Sequence, residues 1–197
     1  MSTQPQKAKQ EVEIHASRTD PTLGRFEIQR HLQQNVAASR RKAMKFTSMD
    51  FRIGIDAPKA KAWELLADFG NPHKYVNGIL GTRLVTAAPN GVGAVRHCDL
   101  PPMMRMRQYI VEEIIEWNEG DSFTYIVNDT TAPITDGRVQ WSVSDSTKGC
   151  VIRATVQYRP RYGLLGQLIN PFLKTQFRKQ MSEGLADMKR VLEAAAQ

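Results

Sequence analysis

The chain has 197 residues, a formal net charge of +7 and only two cysteines, Cys98 and Cys150. Two cysteines outside any C-x-x-C pair exclude a disulfide framework and a cysteine-ligated zinc site, and they favour a reducing compartment. No apolar run reaches the roughly 18 residues that a transmembrane helix needs, and the N-terminal region lacks the apolar block of a signal peptide. We therefore expect a soluble, unexported, cytoplasmic protein.

The positive charge is concentrated near the N-terminus. Residues 1–45 hold nine Lys/Arg and four Asp/Glu, whereas residues 46–197 hold eighteen and sixteen. A globular nucleic-acid-binding domain concentrates Lys/Arg on its folded part, with aromatic side chains among them. The distribution here is different, so we expect no specific nucleic-acid binding.

Residues 1–45 are predicted to be an N-terminal extension of a domain that spans residues 46–197. Residues 1–23 contain few large apolar side chains and cannot bury enough surface to offset the entropy of ordering, so we predict disorder there. The loose helical spacing of apolar residues from Arg25 to Lys45 predicts a marginal helix. The basic stretch SRRKAMK at 39–45 is interpreted as solvated linker, with a localisation patch or a phosphate contact as alternatives.

The domain begins with a predicted strand at 46–55, where apolar residues alternate. Asp56 is predicted to cap the helix that follows, and Pro58 to lie in its first turn. Gly70 ends that helix, and the pair at 71–72, Asn-Pro, is typical of the cap and first turn of a second short helix. The inward face of the first helix is predicted to consist of Ala60, Trp63, Leu66 and Ala67.

From residue 79 to residue 160 the sequence has the period-two pattern of β-strands. Asn90–Gly91 indicates a tight hairpin between the first two of these strands. Only short turns or loops separate the strands, at 89–93, 118–121, 130–137 and 147–149, and parallel connections would need a dozen or more residues. The sheet is therefore predicted to be antiparallel, with about seven strands in all.

The chain ends in a predicted long helix. Asn170–Pro171 is interpreted as its cap and first turn. Beyond this pair, apolar residues recur every three or four positions and form one stripe: Leu173, Phe177, Met181, Leu185, Met188 and Leu192. The concave face of a curved antiparallel sheet is the surface that this chain offers to such a stripe. The predicted fold class is α+β, with the sheet wrapped around the C-terminal helix.

Four segments on these elements resemble the START-like helix-grip superfamily (SRPBCC), specifically its polyketide cyclase/dehydrase and lipid-transport branch. IDAPKAKAWELLADFGNPHKY at 55–75 is similar to the opening motif of that family, and GVGAVRHCDL at 91–100 to its G-x-x-R strand. EEIIEWNEGDSFTYIV at 112–127 is similar to a pair of its strands, and GLADMKRVLE at 184–193 to its C-terminal motif. The resemblance spans about residues 46–195 and implies a hydrophobic ligand cavity between the sheet and the long helix.

Strand alternation and the resemblance together predict the residues that line this cavity. Alternation turns Phe123 and Tyr125 inward from one strand and Trp141 from another. The resemblance implies that Glu112 and Arg96 point inward as well. The predicted ligand-binding residues are Arg96, Leu100, Ile110, Glu112, Ile114, Phe123, Tyr125, Trp141, Leu173, Phe177 and Met181.

Arg96 and Glu112 are opposite charges predicted to lie inside an apolar cavity. A charge there costs several kcal/mol unless it is paired or solvated. One interpretation is a structural ion pair or an exposed rim. The other is a polar anchor for the head group of a ligand.

The segment Asp99–Tyr109 combines two prolines with several methionines. Pro101–Pro102 is predicted to interrupt strand pairing, and methionine side chains make adaptable apolar contacts. Together with Thr130–Gly137, this segment is interpreted either as a flexible lip over the cavity mouth or as an ordinary loop with its methionines packed in the core.

The favoured function is binding, with or without transport, of a lipid or other hydrophobic small molecule. No residue spacing indicates a metal site and no nucleotide-binding or nucleophile-elbow motif is present, so no metal, cofactor or catalytic residue is predicted. One alternative is an aromatase/cyclase-type or dehydratase enzyme in which Glu112, Arg96 or Tyr125 moves protons or holds carbonyls. The other is a protein- or membrane-interaction module that uses the basic N-terminus and LLGQLINPFLK at 164–174. No oligomeric state is predicted.

Overall fold

A computed structural model of the chain describes residues 46–103 and 105–195. Seven strands form one antiparallel sheet in the order β1-β7-β6-β5-β4-β3-β2. The predictions for residues 1–45 lie outside the described residues. The strands and helices are β1 Thr47–Ile55, α1 Lys59–Ala67, β2 Gly81–Leu84, β3 Val95–Met103, β4 Met106–Asn118, β5 Ser122–Thr130, β6 Ile134–Ser146, β7 Gly149–Pro160 and α2 Gly163–Ala194, with a 3₁₀ turn at Pro72–Lys74.

The predicted helix-grip architecture is confirmed. Both helices pack on one face of the sheet, α1 against β6 and β7, and α2 mainly against β1 and β7. The core consists of side chains that alternate along the strands toward this face, together with one side of each helix. The second short helix of the prediction is the single 3₁₀ turn at Pro72–Lys74.

Helix α1 begins differently from the prediction. Its N-cap is Pro58, and no side chain caps the helix. The backbone N–H of Asp56 instead donates to a carboxylate oxygen of Glu193, 2.9 Å away, at the far end of α2. Asp56 is therefore wrong as a helix cap, because it lies in a junction between the two helices. Of the predicted inward residues, Trp63 and Leu66 are buried, whereas Ala60 is exposed and Ala62 takes its place.

Helix α2 is longer than predicted, with 32 residues, and Pro171 lies inside it. The cap assigned to Asn170 is wrong because its side chain makes other bonds. Tyr158 Oη donates to Asn170 Oδ1 at 3.0 Å, and Asn170 Nδ2 donates to Thr47 Oγ1 at 2.9 Å. Asn170 thus ties α2 to β1 and β7. The predicted apolar stripe does face the sheet, with Leu173, Leu185, Met188 and Leu192 buried.

Two predicted loops are shorter in the structure. Strand β6 begins at Ile134, so half of the loop assigned to 130–137 is strand. Strand β3 continues through Pro101 and Pro102 to Met103, although its register with β4 shifts between Leu100 and Met103. The prolines therefore interrupt the pairing, as predicted, without ending the strand. Strand β2 is only four residues long and forms one edge of the sheet.

Candidate functional site

An ion pair lies buried on the inner face of the sheet, joining β3 to β4. Arg96 and Glu112 are directly opposite each other in the strand register. Arg96 Nε donates to Glu112 Oε2 at 2.6 Å, and Arg96 Nη1 donates to the carbonyl oxygen of Phe69 at 2.9 Å. The two residues are 7% and 5% exposed. The predicted inward orientation of both side chains is correct.

The surroundings of Arg96 stabilise its charge. Burial opposes ionisation of the guanidinium, but the neighbouring Glu112 carboxylate favours it, and the net result is a raised pKa for Arg96. The guanidinium also lies over the ring of Phe69, 4.0 Å from its centroid. A carboxylate, a carbonyl oxygen and an aromatic face thus all contact this cation.

Aromatic side chains fill the space around this ion pair. Phe69 packs edge-on against Phe123 at 6.2 Å between ring centroids, and tilted against Tyr125 at 6.2 Å. Burial, and secondarily the charge of Glu112, raises the pKa of the Tyr125 hydroxyl, which therefore stays protonated at neutral pH. Trp141 is buried beside Phe123 in the register of β5 and β6. This end of the inner face is a packed wall.

Glu119 belongs to the same wall and was missed by the sequence analysis. Its two carboxylate oxygens accept the indole N–H groups of Trp63 and Trp117, both at 2.8 Å. These hydrogen bonds lower the pKa of the Glu119 carboxyl. Glu119 lies in the β4–β5 turn, where an acidic residue is ordinarily solvated, so the only available signal was its closeness in sequence to Trp117.

The predicted site residues divide into two groups by burial. Seven of them are buried: Arg96, Glu112, Ile114, Phe123, Tyr125, Trp141 and Leu173. The others are only half-buried: Leu100, Ile110, Phe177 and Met181. In the second group, Leu100 and Ile110 share the inner side of β3 and β4 with the ion pair, while Phe177 and Met181 belong to the inward stripe of α2.

Phe177 and Met181 pack against the core on one side, with the ring centroid of Phe177 4.9 Å from that of Tyr158, and part of each side chain stays exposed. Helix α2 contacts mainly β1 and β7, at the other side of the sheet. We call the region with Leu100 and Ile110 on the sheet and Phe177 and Met181 on α2 the apolar opening.

A cleft of about 550 Å³ lies where β5 and β6 part. The pairing of these strands ends at Ile126 and Arg138, and the cleft occupies the gap beyond. None of the predicted site residues lines it. Its lining combines apolar side chains with polar and charged ones: Phe46, Ile126, Val127, Asn128, Asp129, Thr130, Ile134, Thr135, Asp136, Gly137, Arg138, Gln157 and Arg161. The cleft is therefore a mixed environment, different from the predicted hydrophobic cavity.

Hydrogen bonds join the two segments interpreted as a lip. Tyr109 Oη donates to Asp129 at 2.8 Å, and the backbone N–H of Tyr109 donates to Thr131 Oγ1 at 3.0 Å. The backbone N–H of Thr131 donates in return to the carbonyl of Tyr109 at 3.2 Å. The β3–β4 hairpin and the β5–β6 connection are thus joined through Tyr109 and Thr131. Movement of these segments as a lip stays a prediction.

The buried hydroxyl of Tyr75 should make the domain less stable at high pH. Burial, despite the opposing charge of Arg96, raises the pKa of its hydroxyl from 10.0 to about 12. Between these values the unfolded chain releases a proton that the folded chain retains, so the free energy of unfolding should fall as the pH rises from 10 toward about 12. Urea unfolding of Tyr75→Phe should show a shallower decline. Tyr162→Phe, at an exposed side chain, is the control, and equal slopes for wild type and Tyr75→Phe would contradict this account.

No cluster of His, Cys, Asp and Glu within 46–103 and 105–195 has the geometry of a metal site. Both cysteines are free and buried, as the sequence predicts. Burial, with the nearby carboxylate of Glu112, raises the pKa of the Cys98 thiol to about 11, so it stays protonated at neutral pH. Cys98 therefore packs as a small apolar residue next to the ion pair.

The sequence profile of the family described as polyketide cyclase/dehydrase and lipid transport matches residues 47–193. This range begins with β1 and ends in the last turn of α2. The chain belongs to this family. The match covers both members of the Arg96–Glu112 pair and both surfaces of the apolar opening. No curated protein matches the chain.

Several solved structures resemble this chain at low sequence identity. TTHA0849 from Thermus thermophilus is 14% identical, with a TM-score of 0.63 over 78% of this chain and 100% of its own. XoxI from Bacillus cereus is 18% identical, with a TM-score of 0.58 over 78% and 99%. Ara h 8.0201 is 14% identical, with a TM-score of 0.58 over 76% and 99%. At these identities the likeness concerns the fold alone.

Proposed function

We propose that the chain binds a lipid or another apolar small molecule in the apolar opening between the inner face of the sheet and the middle of α2. The observation that carries this proposal is the half-burial of Phe177 and Met181. They belong to the same helical stripe as Leu173, Leu185 and Met188, which are buried. Membership of a family that includes lipid-transport proteins supports the same function.

Burial of an apolar ligand in this region would supply enough free energy for binding without catalysis. Removing about 300 Å² of apolar ligand surface from water is worth roughly 7 kcal/mol at about 25 cal/mol/Å², before the cost of ordering the ligand. Met181 has three rotatable bonds and adapts to ligands of different shape. We therefore expect the protein to recognise an apolar chain or ring system more than a particular head group.

The contacts of Arg96 support a structural role in this proposal. Its guanidinium already bonds Glu112 and the backbone of Phe69, and it is only 7% exposed. A ligand carboxylate would have to displace Glu112, which is itself held in a buried position. We propose that the ion pair and its aromatic neighbours form the closed end of the ligand space, and that Leu100, Ile110, Phe177 and Met181 make the ligand contacts.

Catalysis of the aromatase/cyclase type has less support from these residues. Glu112 is engaged by Arg96 at 2.6 Å, and Tyr125 holds its proton because burial raises the pKa of its hydroxyl. A general base must be within hydrogen-bond reach of a substrate proton and must be able to accept it. Ligand binding is therefore the function that the geometry supports best.

The test begins with native mass spectrometry of the full chain purified without detergent, to detect a co-purifying molecule. Binding is then measured by fluorescence titration with a dansylated fatty acid. Met181→Trp should weaken binding by about tenfold or more, because the larger side chain occupies space that the ligand needs. Val191→Trp is the matched control, since Val191 is exposed on the same helix.

Equal affinities of wild type and Met181→Trp for the dansylated fatty acid would reject the apolar opening as the binding site. Failure of the wild type to bind this probe, together with the absence of any co-purifying molecule, would reject the proposed function.

A further inference from the structure

The first turns of α2 carry a large exposed apolar surface. Leu164 is 80% exposed and Leu168 is 79% exposed, and Leu165, Ile169 and Phe172 are exposed as well. At about 100° per residue, these side chains occupy one arc of roughly 140° on the helix. We call the surface formed by Leu164, Leu165, Leu168, Ile169 and Phe172 the leucine patch. Monomeric soluble proteins seldom expose contiguous apolar patches unless the patch binds something.

The leucine patch is held in place by the body of the domain. A Cβ atom at Gly166 would collide with the carbonyl oxygen of Arg161, so only glycine lets the helix approach the chain that precedes it so closely. The backbone N–H of Arg161 donates to the carbonyl of Pro133 at 2.9 Å. Asn170 bonds to Tyr158 and, through its amide, to β1. The patch is therefore a fixed surface that faces away from the core.

The segment that carries the leucine patch is basic, although Arg161 shares a cleft with Asp129 and Asp136 and Lys179 lies 4.0 Å from Glu183. From residue 161 to residue 182 the chain contains four Lys/Arg and no Asp/Glu: Arg161, Lys174, Arg178 and Lys179. Arg161, Arg178 and Lys179 are exposed. An apolar helical face with Lys/Arg at its margin is typical of helices that lie in the interface of an anionic membrane. None of the described helices is long and apolar enough to cross a membrane, so the geometry is that of a surface contact.

We propose that the leucine patch inserts into the head-group layer of an anionic lipid bilayer, with the flanking Lys/Arg side chains near the lipid phosphates. The charge around the patch is what selects a membrane over a second copy of this chain, because two copies would bring like charges together. This inference goes beyond the proposed function, and it does not depend on which ligand the apolar opening binds.

The test is a vesicle flotation assay with the full chain. Vesicles of phosphatidylcholine alone are compared with vesicles of phosphatidylcholine and phosphatidylglycerol at low ionic strength. The wild type should float with the anionic vesicles. The partitioning of the triple variant Leu164→Gln/Leu168→Gln/Phe172→Gln into these vesicles should be at least about tenfold weaker. Because these side chains are exposed, the triple variant should keep the wild-type melting temperature.

The matched control is Leu80→Gln/Val92→Gln, which removes two exposed apolar side chains near the opposite edge of the sheet and should leave flotation unchanged. Arg178→Gln and Lys179→Gln should each lower partitioning by about fivefold, since each Lys/Arg near an anionic surface contributes that much. These losses should shrink as the salt concentration rises.

Three results would overturn the membrane proposal. The triple variant could float as well as the wild type, which would assign any vesicle binding to another part of the chain. The wild type could fail to float with anionic vesicles, and a change in oligomeric state of the triple variant would then assign the patch to contact between copies. Equal flotation with both kinds of vesicle would show that the Lys/Arg side chains do not contribute to vesicle binding.

Discussion

Glu112→Gln is expected to lower the free energy of unfolding by about 3–5 kcal/mol, because it leaves the buried guanidinium of Arg96 without a counter-charge. The wild-type carboxylate lies 2.6 Å from Arg96 Nε, and the side chains of both residues are less than a tenth exposed. Glutamine has almost the same shape, so the loss is electrostatic and not a packing defect. Urea unfolding followed by tryptophan fluorescence measures it.

An exposed ion pair between β6 and β4, the two strands that flank β5, provides the control. Arg138 Nη2 lies 3.0 Å from Glu116, with side-chain exposures of 43% and 51%. Glu116→Gln should change the free energy of unfolding by no more than about 1 kcal/mol, because water screens that pair. The double variant Arg96→Met/Glu112→Leu should recover most of the stability lost in Glu112→Gln, since it removes both buried charges. A loss below about 1 kcal/mol in Glu112→Gln would refute this electrostatic account.

Gly149→Ala is expected to destabilise the domain by at least about 3 kcal/mol. Gly149 follows the β6–β7 turn with a φ of +116°, a conformation that L-residues rarely adopt. An added Cβ would also lie 2.8 Å from the backbone nitrogen of Ala57 and would collide with the carbonyl oxygen of Ile55. Backbone atoms cannot move aside as a flexible side chain can. The end of β1 would have to separate from β7, and thermal melting reports this.

Gly120→Ala separates the effect of φ from the effect of the collision. Gly120 has a φ of +77° in the β4–β5 turn, and a Cβ there would have no neighbour within 4 Å. Its substitution should cost only about 1–2 kcal/mol, the strain of the left-handed conformation alone. Similar melting temperatures for Gly149→Ala and Gly120→Ala would show that the approach of β1 to Gly149 tolerates a side chain.

The sequence predicted the strands, in their order along the chain, and the inner stripe of α2, because both rest on local periodicity. The start of α2 was wrong because Asn170–Pro171 has the appearance of a cap, and a proline inside a helix removes only one N–H donor while the flanking turns persist. The leucines that precede Asn170 are exposed and do not continue the inward stripe, so periodicity did not predict that the helix begins earlier. The beginning of β6 was missed because Asp136–Gly137 is typical of a loop.

The candidate site was predictable only in part, because its main contacts are not local. Family resemblance placed Arg96 and Glu112 on the inner face, but their hydrogen bond depends on the register of β3 against β4. Phe69 accepts with its backbone carbonyl, which every residue has, so the sequence could not indicate this contact. Phe177 and Leu173 are equivalent in periodicity, and their different burial depends on how α2 lies across the sheet.

The sheet order places the first strand of the domain beside the last. Thr47 pairs with Tyr158, and every residue of β1 has its partner in β7. During synthesis, β1 therefore cannot form its strand–strand hydrogen bonds until β7, near the end of the domain, has left the ribosome. A nascent chain that stops after β6 would leave β1 unpaired and the edge of β6 open, and both can pair with strands of other chains.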